Sequence, residues 1–476
     1  MPVAGNPLSQ GDARATAHEY MPSFLAQRKE LLKLEPWIRG EQDETAFIPP
    51  EHEIKPEYRD LATRSQTPWA RLIVRTLNQT MFYEGIRRPK FEGNMKVWDT
   101  WRQNGWIARQ TALHYEAIGL GLAFGVALPA IHPMTGKKTV LCEAYSGLDM
   151  MAVYQNTSDE YPMAAMHCQE AKVPGRYGLV NGWTVTLYDE VATYYLYCHG
   201  QGQGLKQWFY ISHERHGSPG ITPVQRFAPY LDLQNNARSE IRPLLPLLMR
   251  IDQDAFDRLI VQKWGAWKVR YITGLVRPNG MTEEDAKKQL VKFNIDSFLA
   301  LESKDSKIGT LDATDLIGFI KAHEADLRDL SAVSQTPPHQ MLGLSTNVGA
   351  EALAAVEAGL QRKGMETKNS LQESHLSFGR LCSYIEGNQS EAQEFNAELR
   401  WRDMESRSFA QIADSLQKLR IGTELPLEML WEYLPNWSDD KTERAKMLME
   451  SGVVESLVSE LARQDAAANP PDNASE

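Results

Sequence analysis

From Asp312 to Gly364 the sequence makes a helix stop, turn and restart, and this constrains the fold more than any other stretch. Leu316, Ile320, His323, Leu327 and Leu330 recur at helical spacing as one apolar stripe. Lys321, Glu324, Asp326, Arg328 and Asp329 take the other faces. Proline removes a backbone donor and clashes with the preceding turn, so Pro337-Pro338 predicts the end of this helix. The segment Leu342, Gly343, Leu344, Ser345, Thr346, Asn347, Val348, Gly349 follows and carries no formal charge. An Ala/Glu/Lys-rich run from Glu351 to Tyr384 then predicts a long second helix. A break this sharply punctuated positions a loop, and the loop is expected to be the working part.

The 476 residues exceed what one hydrophobic core organises, so several folding units are expected. The net charge of −11 argues against a simple basic nucleic-acid binder. It is compatible with a protein that surrounds DNA without gripping it, because an acidic wall repels phosphate. Cys142, Cys168, Cys198 and Cys382 have no paired spacing and read as free thiols of a reducing compartment. No apolar run approaches the ~20 residues of a membrane span, and no signal-type N-terminus is read. Met1 to Ala15 reads as loose and Asp465 to Glu476 as disordered.

Helices are expected over His18–Arg39, Trp69–Arg87 and Val97–Ile118, followed by a buried strand beginning at Gly119. Val140–Ala144, Met150–Tyr154, Met163–Cys168, Trp183–Tyr188, Thr193–Cys198 and Gln207–Ser212 alternate with Gly, Asn and Asp at hairpin spacing and read as strands. A helix to about Trp267 starts near Pro243 and Pro246, where a first turn tolerates proline. A short helix opens at Thr282, and Phe298–Leu301 and Glu398–Arg402 read as strands. Arg407–Arg420, Pro426–Tyr433 and Ser438–Arg463 read as helices, with Gly422 stopping the first. The fold class is therefore α+β.

The catalytic motifs fail. Thr135-Gly136-Lys137-Lys138 resembles a P-loop, but the position of its first glycine is Ile131 and Lys137 is followed by lysine, so a hairpin turn is expected. Gly119, Gly121 and Gly125 follow a helix and enter a strand, the reverse of a dinucleotide fingerprint, and read as close backbone packing. His213-Glu-Arg-His216 lacks metalloprotease spacing, and the strand histidines near the cysteines lack paired ligand spacing. No catalytic residue, metal site or cofactor is assigned.

Three stretches carry a resemblance. One is Gly217-Ser-Pro-Gly-Ile-Thr-Pro-Val-Gln-Arg-Phe, leading through Ser239-Glu-Ile to a helix read as ending in Arg270-Tyr-Ile-Thr-Gly274. Another runs from Ile308-Gly-Thr through Thr336-Pro-Pro-His to Gly349-Ala-Glu-Ala-Leu and a long helix containing Lys363. The last is Leu399-Arg-Trp-Arg-Asp, followed by Glu405-Ser-Arg-Ser. In this order they resemble the portal, or head-to-tail connector, proteins of tailed double-stranded-DNA phages of the long-tailed type.

The resemblance implies a virion protein, assembled in the host cytoplasm, that forms a ring of about twelve subunits at one capsid vertex, closed by a head-to-tail interface. Double-stranded DNA would pass through its channel without sequence-specific contact, during packaging and ejection. The terminase large subunit and a head–tail adaptor would dock on it, with the major capsid and scaffolding proteins around it and no membrane partner. It implies an N-terminal helical arm at 1–60, a wing at 61–238, a first stem helix at 239–268 and a clip at 269–311. A second stem helix at 312–336 and a turn with tunnel loop at 337–350 follow. The long helix and returning wing strand take 351–406, a helical crown 407–464 and a tail 465–476. Leu342 to Gly349 would touch DNA. In the clip Arg277, Glu283, Glu284, Lys287 and Lys288 would meet motor and adaptor. Asp326 and Asp329 would face either the channel or a neighbouring stem helix; Arg362, Lys363 and Lys368 would either touch DNA or form the solvated or intersubunit face of the long helix. The competing classes, a head-maturation or nucleic-acid-processing enzyme and a non-viral scaffold, differ from this in having no large ring.

Overall fold

The computed structural model describes residues 5–42, 56–88, 94–134, 136–218, 220–265, 270–273, 307–310, 315–343, 350–402, 409–423, 430–431, 434 and 439–450. The chain opens with α1 (Gln10–Leu31), α2 (Glu35–Arg39), α3 (Pro56–Ser65) and α4 (Trp69–Gln79), then β1 (Tyr83–Arg87), α5 (Lys96–Gln103) and α6 (Trp106–Leu120). Strands follow: β2 (Ala123–Ile131), β3 (Lys138–Ser146), β4 (Met150–Val153), β5 (Ala164–Gly175), β6 (Gly178–Tyr188), β7 (Ala192–His199), β8 (Trp208–Arg215) and β9 (Val224–Phe227). Then come α7 (Leu245–Gly265), β10 (Arg270–Thr273), β11 (Lys307–Thr310), α8 (Ile317–Ser334) and α9 (Pro338–Leu342). The last are α10 (Ala350–Glu386), α11 (Gln389–Ala392), β12 (Glu398–Trp401), α12 (Phe409–Thr423) and α13 (Asp439–Glu450). The fold is α+β and divides into two compact units.

The larger unit comprises Met1–Ile38, Arg71–Pro243 and Glu357–Glu476. Its main sheet is an antiparallel meander, β4-β5-β6-β7-β8. Small residues Ala13 and Ala17 let α1 lie close to the sheet, and Met21 and Phe24 bury against Trp183, Val185, Tyr194 and Trp208. Burying a side chain the size of Phe24 contributes roughly 2–3 kcal/mol. Arg28 fixes the docking, with Nη1 donating to Asp149 Oδ1 at 2.9 Å and to the Leu148 carbonyl at 2.8 Å. A smaller sheet, β3-β2-β9, supports a second core made largely of aromatic rings. Trp106 stacks on Phe378 of α10 with centroids 4.6 Å apart, and Phe227 lies edge-on to Phe378 at 5.9 Å. A Cβ on Gly125 would lie 2.9 Å from Phe227 and 3.2 Å from Trp106, so only glycine fits there. That is the close packing expected of this glycine run.

The smaller unit comprises Arg39–Ala70 and Leu244–Val356. Leu61 and Ala62 of α3 bury against Phe256 of α7. Arg250 meets Asp326, and Arg270 pairs with Thr310, so α7 and α8 run antiparallel and β10–β11 join their far ends.

Several expected boundaries move. Residues 10–15 are helical, not loose: Ser9 Oγ accepts the Asp12 N–H and donates to the Asp12 carboxylate, a cap that starts α1 early. The helix expected to reach Arg39 breaks at Leu32–Leu34. The helix expected over Trp69–Arg87 ends at Gln79, because Tyr83–Arg87 pairs with β12, Tyr83 against Trp401 and Arg87 against Glu398. Val97–Ile118 is two helices, interrupted at Asn104–Gly105, and the strand after Gly119 begins at Ala123. The helix expected to end at Gly274 gives way to strand by Arg270. Gly422 lies inside α12, which continues to Thr423. The expectations at Thr282, Phe298–Leu301, most of Pro426–Tyr433 and Asp465–Glu476 lie outside the described residues.

Candidate functional site

Of the residues that the sequence singled out, Asp326 and Asp329 lie on α8, which packs against α7, and Leu342 and Gly343 lie at the turn after it. Arg250 forks onto Asp326, with Nη2 2.6 Å from Oδ1 and Nε 3.0 Å from Oδ2, and stands 3.6 Å from Asp329. Asp326 is thus committed to a helix of its own chain and is only 14% exposed, whereas Asp329 is 68% exposed. Burial, with the Asp326 carboxyl beside it, raises the pKa of Asp254. Burial lowers the pKa of His323 on the same face. Between Arg250 and Asp254 on α7, Asp252 is 1% exposed, accepting the Thr67 N–H at 3.3 Å through Oδ1 while Oδ2 has no partner. Burial pushes this carboxyl up to about 7.

The end of α8 differs from expectation in an instructive way. The stop is made before the prolines, at Gln335, whose backbone is left-handed at φ 54°. Ser331 Oγ donates to the Thr336 carbonyl at 2.7 Å and Ser334 Oγ to Thr336 Oγ1 at 3.0 Å, holding the turn. Pro338 then begins the short helix α9, since a first helical turn needs no donor from that position. Met341 buries and Leu342 is half-buried. Gly343 caps α9 at φ 64°, its N–H 3.1 Å from the His339 carbonyl, a conformation costly for any residue with a Cβ. Leu344, Ser345, Thr346, Asn347, Val348 and Gly349 lie outside the described residues, and helix resumes at Ala350.

On α10 Arg362 is exposed, with Nε donating to the Ala358 carbonyl at 3.2 Å. Lys363 is half-buried and ion-paired with Glu240, the two side chains 10% and 11% exposed. Lys368 lies over the Trp401 ring, 5.9 Å from its centroid. Arg277, Glu283, Glu284, Lys287 and Lys288 lie outside the described residues; of their segment, only the β10–β11 ladder is described. Sequence reasoning missed Arg250, Glu240 and Asp252, because each matters through a partner distant along the chain.

The histidines fill local roles. His216 Nε2 meets the Asp189 carbonyl at 2.7 Å and His199 Nε2 the Pro174 carbonyl at 2.8 Å. His132 and Lys137 close the connection between β2 and β3, the His132 N–H donating to the Lys137 carbonyl at 2.9 Å. Among the described residues no group of three or more His, Cys, Asp or Glu is arranged to hold a metal. Burial raises the thiols of Cys142, Cys168 and Cys198, for Cys142 after its contact with Cys382. Such thiols are poor nucleophiles. No helix among the described residues is long and apolar enough to cross a membrane.

Residues 17–453 match the family model described as phage portal protein, SPP1 Gp6-like. The chain belongs to this portal protein family. Among curated proteins none matches. Among solved structures, the neck of a native gene transfer agent particle computed with C12 symmetry contains a chain 12% identical, with a TM-score of 0.44. That likeness covers 78% of this chain and 88% of the other. A chain of the virion of a native gene transfer agent particle is 13% identical with a TM-score of 0.44, covering 91% of this chain and 96% of that one.

Proposed function

We propose that this portal protein forms a closed ring of about twelve subunits at one vertex of a tailed-phage capsid, whose channel carries double-stranded DNA into and out of the head. The observation that carries the reading is the family match over residues 17–453. The order of α7, the β10–β11 segment, α8, α9, an uncharged stretch of sequence and α10 supports it. In this reading α7 and α8 are the stem and residues 269–311 the clip, on which the terminase large subunit docks first and the head–tail adaptor later. Leu342 to Gly349 is the tunnel loop beside DNA, α10 stands behind it, the strand-rich region is the wing, and residues 407–464 form the crown. Capsid and scaffolding proteins surround the ring, which assembles in the host cytoplasm and remains in the virion.

An uncharged loop suits a surface past which DNA slides, because each lysine or arginine on phosphate would act as a brake. The ring needs no chemistry of its own; a separate ATPase supplies the work. Native mass spectrometry with negative-stain imaging tests the reading. A ring near twelve subunits is expected, and a monomer or dimer at assembly concentrations overturns it. Charge reversal at Lys287 and Lys288 is expected to weaken motor docking while leaving the ring intact, since exposed rim charges act mainly on association. Loss of the ring would instead make that segment an intersubunit core. ATP hydrolysis by the pure protein, lost in Lys137→Ala, would contradict the passive role.

A further inference from the structure

A pocket of about 420 Å³ opens in the larger unit between the end of β4, the segment after it and the loop that follows β9. Arg226 lines it. Its guanidinium lies over the Tyr154 ring, 4.5 Å from the centroid, and is pinned on one side by Asn235. There Nη1 donates to the Asn235 carbonyl at 3.2 Å and Nη2 to the Asn235 side-chain oxygen. Asn235 reaches both points because its backbone is left-handed, at φ 66°. A strained non-glycine residue is worth its cost where it fixes a functional group.

What Arg226 lacks is an acid. No aspartate or glutamate among the described residues pairs with it, although it is half-buried and burial lowers its pKa. The acids nearby in sequence are committed elsewhere. Asp232 accepts the N–H groups of Gln234 and Asn236 and pairs with Arg238. Asp159 accepts the N–H of Asn156. The pocket wall beside Arg226 is made of neutral groups, Gln155, Asn156, Thr157, Gln234 and Asn236, and contains no carboxylate. Arginine carries five donors in a planar fork, of which Asn235 takes two. A desolvated cation with free donors, a pinned orientation and amide neighbours is matched by one planar anion.

We infer that this pocket is a carboxylate-binding site centred on Arg226. The carboxylate comes either from a small solute or from an acidic side chain of a second copy of this chain, which has 62 Asp and Glu residues against 51 Lys and Arg. Only the second source rests on the proposed ring.

The experiment uses the full chain, with acetate as the probe and chloride at matched ionic strength as the control. For a free site, acetate raises the unfolding temperature of the wild type saturably and has no effect on Arg226→Gln. For a site filled by a neighbouring copy, acetate leaves the assembled wild type unmoved. Arg226→Gln then lowers the fraction of ring several-fold in native mass spectrometry, and Arg226→Lys restores part of it. Gln155→Glu provides a second route that does not remove the arginine. By supplying the missing acid internally it should raise the unfolding temperature and abolish the acetate response or weaken the ring. The proposal is overturned if Arg226→Gln matches the wild type in both acetate response and assembly. It is equally overturned, should that variant fail to fold, if Gln155→Glu leaves both unchanged. If the wild type forms no ring at all, the portal reading fails on its own and the acetate titration still decides the pocket.

Discussion

Asp252 and Lys363 illustrate opposite ways of burying charge. Asp252 has one weak donor and an orphaned oxygen, so folding holds its carboxyl at about 7 instead of the ordinary 3.8. A raised acid contributes stability that is fully present below its unfolded value and lost as pH rises through the folded one. Asp252→Asn keeps an acceptor for the Thr67 N–H and removes the ionisation. It is expected to stabilise the protein at pH 8 by up to about 4 kcal/mol and to change little at pH 4. Urea unfolding at both pH values checks this; an equal effect at both would mean that desolvation is not the cause. Lys363, by contrast, is paired with Glu240. Breaking a buried pair from one side leaves an uncompensated charge, so Lys363→Met should cost roughly 3–5 kcal/mol. Arg362→Met on the exposed face should stay within about 0.5 kcal/mol. Comparable losses for the two variants would place Lys363 in a solvated role, nearer the channel-lining alternative.

Among elements, those specified by local chemistry were legible and those specified by distant partners were not. The period of α8, the pair Pro337-Pro338 and the length of α10 follow from residues within one or two turns. The meander strands were also legible, because each pairs with its sequence neighbour. β1 was not: its partner β12 lies near the other end of the chain, so Tyr83–Arg87 looked like more of α4. α1 was clipped because its first turns bury only alanines, which give no apolar signal against a polar background. The candidate site divides the same way. An end to α8 near the prolines could be read, but its cap at Gln335, the short helix α9 and the partners of Asp326 and Lys363 could not, because caps of this kind and pairing are properties of packing. At this scale Gly343 is the informative position. Its left-handed backbone means that Gly343→Val should cost about 1–2 kcal/mol and shift the direction in which the chain leaves α9. If the following loop lies beside DNA, this variant should assemble normally yet package slowly. Paired lysines at Ser345 and Thr346 should slow translocation most at low salt. Normal packaging rates for both variants across a salt series would move the constriction to the stem or crown.

For the whole molecule, the two units carry buried ionisable groups of opposite sign, and this predicts opposite responses to pH. In the larger unit His114 and His375 face each other in the aromatic core, Nε2 to Nε2 at 2.7 Å, and both are fully buried. Tyr83 Oη lies 3.2 Å from His375 Nδ1. Burial pulls His114 down to about 4 from the usual 6.5, and His375 further still, with His114 beside it as the lesser cause. A depressed histidine contributes stability that is present above its unfolded value and lost as pH falls through the folded one, roughly 3 kcal/mol for His114 alone. Asp252 lies in the smaller unit and works in the other direction, between its ordinary 3.8 and about 7. Lowering the pH from 7 to 4.5 should therefore weaken the larger unit while strengthening the smaller one. Scanning calorimetry with limited proteolysis resolves this. At pH 7 the first cleavages should fall in the Leu244–Val356 portion, and at pH 4.5 they should shift toward the strands and the aromatic core around Trp101, Trp106 and Phe378. A single transition that moves as one with pH, cut at the same sites throughout, would mean that the two units unfold together and that neither group sets the weak point.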